Sequence, residues 1–89
     1  MVEQEIAEHT LKHGLQYPYD APDAWWEGDG NNPPAPDDWA HAAVRGILAD
    51  LNDRRGIKHG FANINEEIRI EIAQSLARIV RVAKDQAHG

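Results

Sequence analysis

Two stretches with helical apolar periodicity, residues 37–55 and 64–83, flank the run Asp53-Arg54-Arg55-Gly56-Ile57-Lys58-His59-Gly60-Phe61. Two amphipathic helices joined by so few residues are spatial neighbours, and this limits the chain more than any other feature. In the first stretch Ala40, Val44, Ile47, Leu48 and Leu51 share one stripe at about 100° per residue. Ala42, Gly46 and Ala49 make a second strip of small residues. Gly46 costs about 1 kcal/mol relative to Ala inside a helix, and close approach of another backbone would explain it. Gly56 is expected as a left-handed cap on this helix, with Ile57 folding back on Leu51 in a Schellman closure.

The second stretch starts at an Asn63 or Asn65 cap, and with Asn63 the capping-box position falls on Glu66. Its inner stripe reads Ile68, Ile72, Ala73, Leu76, Ile79, Val80 and Ala83, while Ile70, Ala77 and Val82 lie outside it. Together these apolar residues cover roughly 240° of the helix circumference. One partner helix cannot cover that arc, so either the N-terminal segments cover the rest or another subunit does; Ile70, Ala77 and Val82 are read as an interface and a symmetric homo-oligomer is expected. The tail 85–89 is expected to fray.

The chain before residue 37 is less regular. Val2 to His13 reads as a helix with a thin apolar side (Val2, Ile6, Leu11) and a stop at Gly14. Residues 15–36 form a long connection that holds Tyr17, Tyr19, Trp25 and Trp26 and the turn-forming run 28–34. So many aromatics imply a segment that wraps the helices. The echo Ala21-Pro22-Asp23-Ala24-Trp25 and Ala35-Pro36-Asp37-Asp38-Trp39 marks two helix starts, the first opening a single turn that ends near Gly28. The reading is therefore all-α, one domain over 1–89. An N-terminal helix (1–14) and an aromatic wrapping loop (15–36) accompany an antiparallel pair of long helices (37–84), completed by oligomerisation.

Charge is distributed unevenly. The net −6 divides into −8 over residues 1–44 and +2 over 45–89. A broad basic footprint for duplex DNA is missing. What remains is a basic protein partner for the acidic half, or a small anionic ligand for the basic half. No long apolar run suggests a membrane span, and the acidic start does not read as a signal peptide. Without cysteine there is no disulfide framework and no thiolate metal site, which is compatible with a reducing cytoplasm.

Arg54, Arg55, Lys58 and His59 are the candidate anion-binding residues, beside a helix N-terminus that favours phosphate or carboxylate. Arg69 falls within the apolar sector and could join them or pair with Asp50 or Asp53. Trp25, Trp26 and Trp39 are candidate stacking surfaces for a base. The competing reading makes Asp50–Arg54 an ordinary i,i+4 pair and the aromatics core filling. His9 and His13 would share a helix face with Glu5, but with no third ligand in a recognised pattern this reads as a solvated face rather than a metal site. No catalytic residue is assigned: Thr10 and Ser75 are the only aliphatic hydroxyls, no nucleophile–base set can be formed, and no cofactor motif is present.

The segment 39–83 resembles small proteins encoded by tailed phages and prophages. The resemblance rests on Trp39-Ala40, Ile47-Leu48-Ala49-Asp50-Leu51, Asp53-Arg54-Arg55-Gly56-Ile57-Lys58, Arg69-x-Glu71-Ile72 and Leu76-Ala77-x-Ile79-Val80. It covers about half of the chain and brings no activity with it. It implies a phage origin and a site of action in the host-cell cytoplasm. The expected function is non-catalytic binding of a host factor, such as a host-defence component, through protein–protein contacts. The alternative is sequestration of an anionic small ligand, such as a cyclic nucleotide, at the basic turn.

Overall fold

The computed structural model describes residues 2–88, with His88 as backbone only. Five helices follow in order: α1 (Glu3–Gln16), α2 (Asp23–Glu27), α3 (Trp39–Asn52), α4 (Lys58–Ala62) and α5 (Glu66–His88). There is no strand among the described residues, so the all-helical expectation holds. No helix is long and apolar enough to cross a membrane among those residues.

α3 is the central element: α1 and α5 both pack on it, and α4 touches it. α3 starts at Trp39, two residues later than the Asp37 start read from the sequence, because Asp37 and Asp38 lie ahead of the first turn. Asp38 is the N-cap, and its carboxylate accepts the His41 backbone N–H at 2.9 Å, satisfying one of the donors a helix start leaves open. The same carboxylate takes two bonds from Arg81 of α5, at 2.6 and 3.0 Å. One aspartate thus starts α3 and ties α5 to it. The Arg81 guanidinium, helped by the His41 N–H, holds the Asp38 carboxyl at about 2, well below the ordinary 3.8.

The apolar core joins Ala40, Val44 and Leu48 of α3 to Ala73 and Ala77 of α5, with Tyr19, Phe61, Ile72, Leu76 and Val80 at its margin. Small side chains on α5 bring the two backbones close. Ala77 is therefore a core residue, 1 % exposed, and not an interface residue as the sequence suggested. Conversely Ile68 and Ile79, expected inside, are 42 % and 63 % exposed. The buried face of α5 is the alanine face, and the large aliphatics lie round from it.

α1 also departs from expectation. Gly14 does not stop it; the helix runs on to Gln16 and Gly14 is buried against α3. A Cβ there would lie 2.3 Å from the Arg45 carbonyl oxygen and 2.8 Å from Gly46 Cα. Gly46 in turn faces Leu11, whose Cα would lie 3.2 Å from an added Cβ. The backbone approach inferred for Gly46 is thus the crossing of α1 over α3. Val2, Ile6 and Leu11 are 40 % exposed or more, so this docking depends on glycine-to-backbone proximity rather than on an aliphatic stripe.

α3 ends at Asn52, four residues before Gly56, so the Schellman closure with Ile57 does not form. Gly56 has φ +85° inside a separate turn, where the Ile57 N–H reaches the Arg54 carbonyl. That turn leads into α4, a single turn of helix that the periodicity did not indicate. α5 is capped by Asn65, whose side chain accepts the Ile68 N–H at 3.0 Å. Glu66 accepts the Asp23 N–H instead of closing a capping box. The helix continues through the tail expected to fray, up to His88, and Gly89 lies outside the described residues.

Candidate binding cleft

The connection between α1 and α3 is fastened by two arginines. Asp20 is buried and receives Arg45 Nε at 2.9 Å, Arg45 Nη2 at 3.3 Å and His41 Nε2 at 2.7 Å. Arg45 Nη1 donates to the Pro34 carbonyl at 2.6 Å. His41 Nδ1 accepts the Asp37 backbone N–H at 2.9 Å. An amide can only donate, so Nδ1 is bare and the proton sits on Nε2. Burial alone would raise the Asp20 carboxyl, yet the bonds from Arg45 and His41 outweigh it and hold the group below its ordinary value. With both ring nitrogens occupied, His41 has no position from which to act on a substrate.

Arg69 is the second fastener. It donates to the carbonyls of Tyr19 (3.0 Å), Ile64 (2.8 Å) and Ala21 (3.3 Å) and pairs with Asp23 at 2.6 Å. Its partners are the loop and Asp23, not Asp50 or Asp53. Arg69 is thereby consumed by the fold. The segment 19–23 lies clamped between Arg45 of α3 and Arg69 of α5.

This clamp positions one wall of a cleft of about 670 Å3. The opposite wall is α1, whose His9, Thr10 and His13 face it at helical spacing, followed by Tyr17. Tyr17 packs against His13 with ring centroids 5.1 Å apart. The clamped loop supplies Tyr19, and α2 supplies Trp26. Trp25 anchors α2 by donating Nε1–H to the Asn31 carbonyl, and Trp26 stands edge-on to it at 4.8 Å. Tyr19 stacks on Phe61 at 4.9 Å and donates its hydroxyl to the Phe61 carbonyl, and burial raises its pKa. The C-terminal half of α3 contributes Leu48, Ala49, Asp50 and Asn52, and the turn after it contributes Asp53 and Lys58.

Asp50 at the cleft edge is neutralised by Arg54, at 2.9 Å. The Asp53 carboxylate has no hydrogen-bond or ion-pair partner among the described residues. Of the residues singled out from sequence, the cleft brings together Lys58 and Trp26, with Arg54 at its rim on Asp50. Arg55 and His59 are exposed beside it and do not line it. Trp39 is at the start of α3, with Lys84 Nζ 4.6 Å from its ring centroid. The cations of the turn therefore do not converge on one cavity. His9 and His13 both line the cleft, but no group of three metal-ligating side chains occurs among the described residues.

Tyr17, Tyr19 and the carboxylates were individually visible in the sequence, but their convergence depends on the clamp. A signal for the clamp did exist. His41, Val44, Arg45 and Leu48 follow i, i+3, i+4, i+7 on one helix face. Two basic side chains on an inward face require a buried acceptor. A second, smaller cavity of about 310 Å3 lies where Arg78 and Arg81 of α5 approach Asp37 and His41. There Arg81 is held by Asp38 and His41 by Asp20. Comparison of the chain with family models, with curated proteins and with solved structures gives no match.

Proposed function

We propose that this is a non-catalytic, phage-type binding protein built on α3 and α5 as an antiparallel pair, and that its cleft receives a basic segment of a host protein, such as a host-defence component, in the cytoplasm of the host cell. One observation carries this reading: Tyr17, Trp26 and the unpaired Asp53 share a single cleft. Aromatic faces attract a cation by about 0.5–2 kcal/mol depending on desolvation. A planar guanidinium can stack on such faces and pair with a carboxylate at its edge. The net charge of −6 over the whole chain adds long-range attraction for a basic partner.

Tryptophan fluorescence tests it directly, because Trp26 is a wall of the cleft. A short arginine-rich peptide quenches or shifts the emission saturably. The response disappears in Trp26→Phe and is weakened roughly tenfold or more in Asp53→Asn, the loss of one charge-assisted contact. A response to arginine peptide that is unchanged in Asp53→Asn refutes the assignment. The alternative reading, an anionic nucleotide, is favoured by Lys58 alone in the cleft. It requires thermal stabilisation by mono-, di- or cyclic nucleotides that Lys58→Ala removes; a ligand at 100 times its Kd adds about 2.7 kcal/mol.

A further inference from the structure

Most of the outer face of α5 is left uncovered by the fold, with Ile72 alone among positions 68, 72, 75, 79 and 82 packing against the edge of the core. Ala73 and Ala77 are buried towards α3. At about 100° per residue, positions 68, 72, 75, 79 and 82 lie on average about 160° round from those alanines. Ile68, Ile79 and Val82 on that line are 42, 63 and 48 % exposed, Ile72 is half-buried, and Ser75 is exposed. The spacing 4-3-4-3 is that of a coiled-coil seam, in which each side chain enters a hole on a facing helix. Four of its five positions are aliphatic, and the seam runs along more than half of a 23-residue helix. None of its residues lines the cleft.

Two charged side chains decide the occupant. Glu71 and Arg78 flank the seam on the same edge, one heptad apart, and both are exposed without an ion-pair partner among the described residues. Against a parallel copy, the edge bearing Glu71 meets the edge bearing Leu76, and no charge is answered. Against an antiparallel copy, edges of the same kind meet. A two-fold axis beside Ile72 and Ser75 then sets Ile68 against Ile79 of the other chain and Ile72 against the small Ser75. Glu71 falls beside Arg78 of the other chain, and the pair occurs twice. We infer that α5 pairs with α5 of a second copy of this chain in antiparallel orientation, through Ile68, Ile72, Ile79 and Val82, with reciprocal Glu71–Arg78 contacts fixing the register. The seam is turned round the helix from the Ile70, Ala77 and Val82 surface expected from sequence, because Ala77 is enclosed within the monomer.

Sedimentation or light scattering on the full chain tests this. The wild-type protein is a dimer at concentrations of about 100 μM, well above the Kd of an interface of this kind. Ile79→Glu, at a site already 63 % exposed, gives a folded monomer by circular dichroism. Glu71→Arg and Arg78→Glu each create two like-charge contacts and weaken dimerisation roughly tenfold or more. The double variant Glu71→Arg/Arg78→Glu restores the wild-type dissociation constant. A monomeric wild-type protein overturns the inference. Failure of the double variant to recover overturns the antiparallel register fixed by Glu71 and Arg78.

Discussion

Gly14→Ala is the sharpest test of how α1 is held. Inside a helix this exchange normally stabilises by about 1 kcal/mol, because alanine restricts the unfolded chain and glycine does not. Here the added Cβ would lie 2.3 Å from the Arg45 carbonyl oxygen, 2.6 Å from its carbon and 2.8 Å from Gly46 Cα. All three are backbone atoms of α3 and none can rotate away. To regain an ordinary carbon–oxygen separation α1 must move out by about 1 Å, which forfeits a quarter to a half of the dispersion along the crossing. Overpacking costs about 1–3 kcal/mol, and rigid neighbours place this case at about 3. Subtracting the propensity gain leaves a net loss of about 2 kcal/mol, or about 8–16 °C in Tm for a domain of this size. Two internal controls calibrate the result. Gly60→Ala in α4 meets nothing within 4 Å and gains up to about 1 kcal/mol. Gly46→Ala, with Leu11 atoms at 3.2 Å, falls between the two. Urea unfolding followed by circular dichroism gives all three values. A Gly14→Ala protein as stable as wild type, or indistinguishable from Gly60→Ala, refutes the close crossing.

Arg45→Met strips Asp20 of its guanidinium while leaving the carboxylate buried, and costs about 3–5 kcal/mol in urea unfolding; Asp20→Asn/Arg45→Met recovers a substantial part, and a cost below about 1 kcal/mol for the single change contradicts the clamp. Acid should loosen the fold through Asp20 and Asp38. Both have folded pKa values below their unfolded ones, so their contribution is fully present above the unfolded value and is lost as pH falls. For Asp38 the interval runs from 3.8 down to about 2. Tm should decline across it, and less steeply in Asp38→Asn; equal slopes for the two proteins would exclude Asp38 as a source of the acid sensitivity.

Helix existence was legible wherever periodicity and caps agreed. Asp38 and Asn65 cap α3 and α5 by side-chain bonds of the kind their residue types suggest, and Pro22-Asp23 opens the short α2. Faces were harder to read. A helical wheel ranks Ile68 and Ile79 above Ala73 and Ala77 on hydrophobicity, but closeness of backbones favours the small side chains, and the core follows them. Gly14 carries the same lesson, since a glycine near a helix end resembles a terminator until the element crossing it is known. The candidate site was half visible. Lys58 and Trp26 belong to it, whereas Arg69 is consumed by two carbonyls and a carboxylate of a loop 46 to 50 residues away in sequence, a distance that no local pattern encodes.

The clamp on residues 19–23 also bears on what can be cut from this protein. The α3–α5 pair is contiguous in sequence and shares the main apolar core, so it looks like a minimal unit. Yet Arg45 and His41 bury their polar atoms against Asp20, and Arg69 spends three of its bonds on Tyr19, Ala21 and Asp23. A fragment beginning at α3 would lose these acceptors together with the α1 crossing and the loop that cover Arg45 and His41, and so forfeit their bonds and burial in a domain whose whole stability is only several kcal/mol. The irregular connection is thus as indispensable as either helix. An engineered insertion is expected to be tolerated at places such as Gly30–Asn32, where the backbone already turns through positive φ, and to unfold the protein when placed within residues 19–23, four of which the two arginines hold.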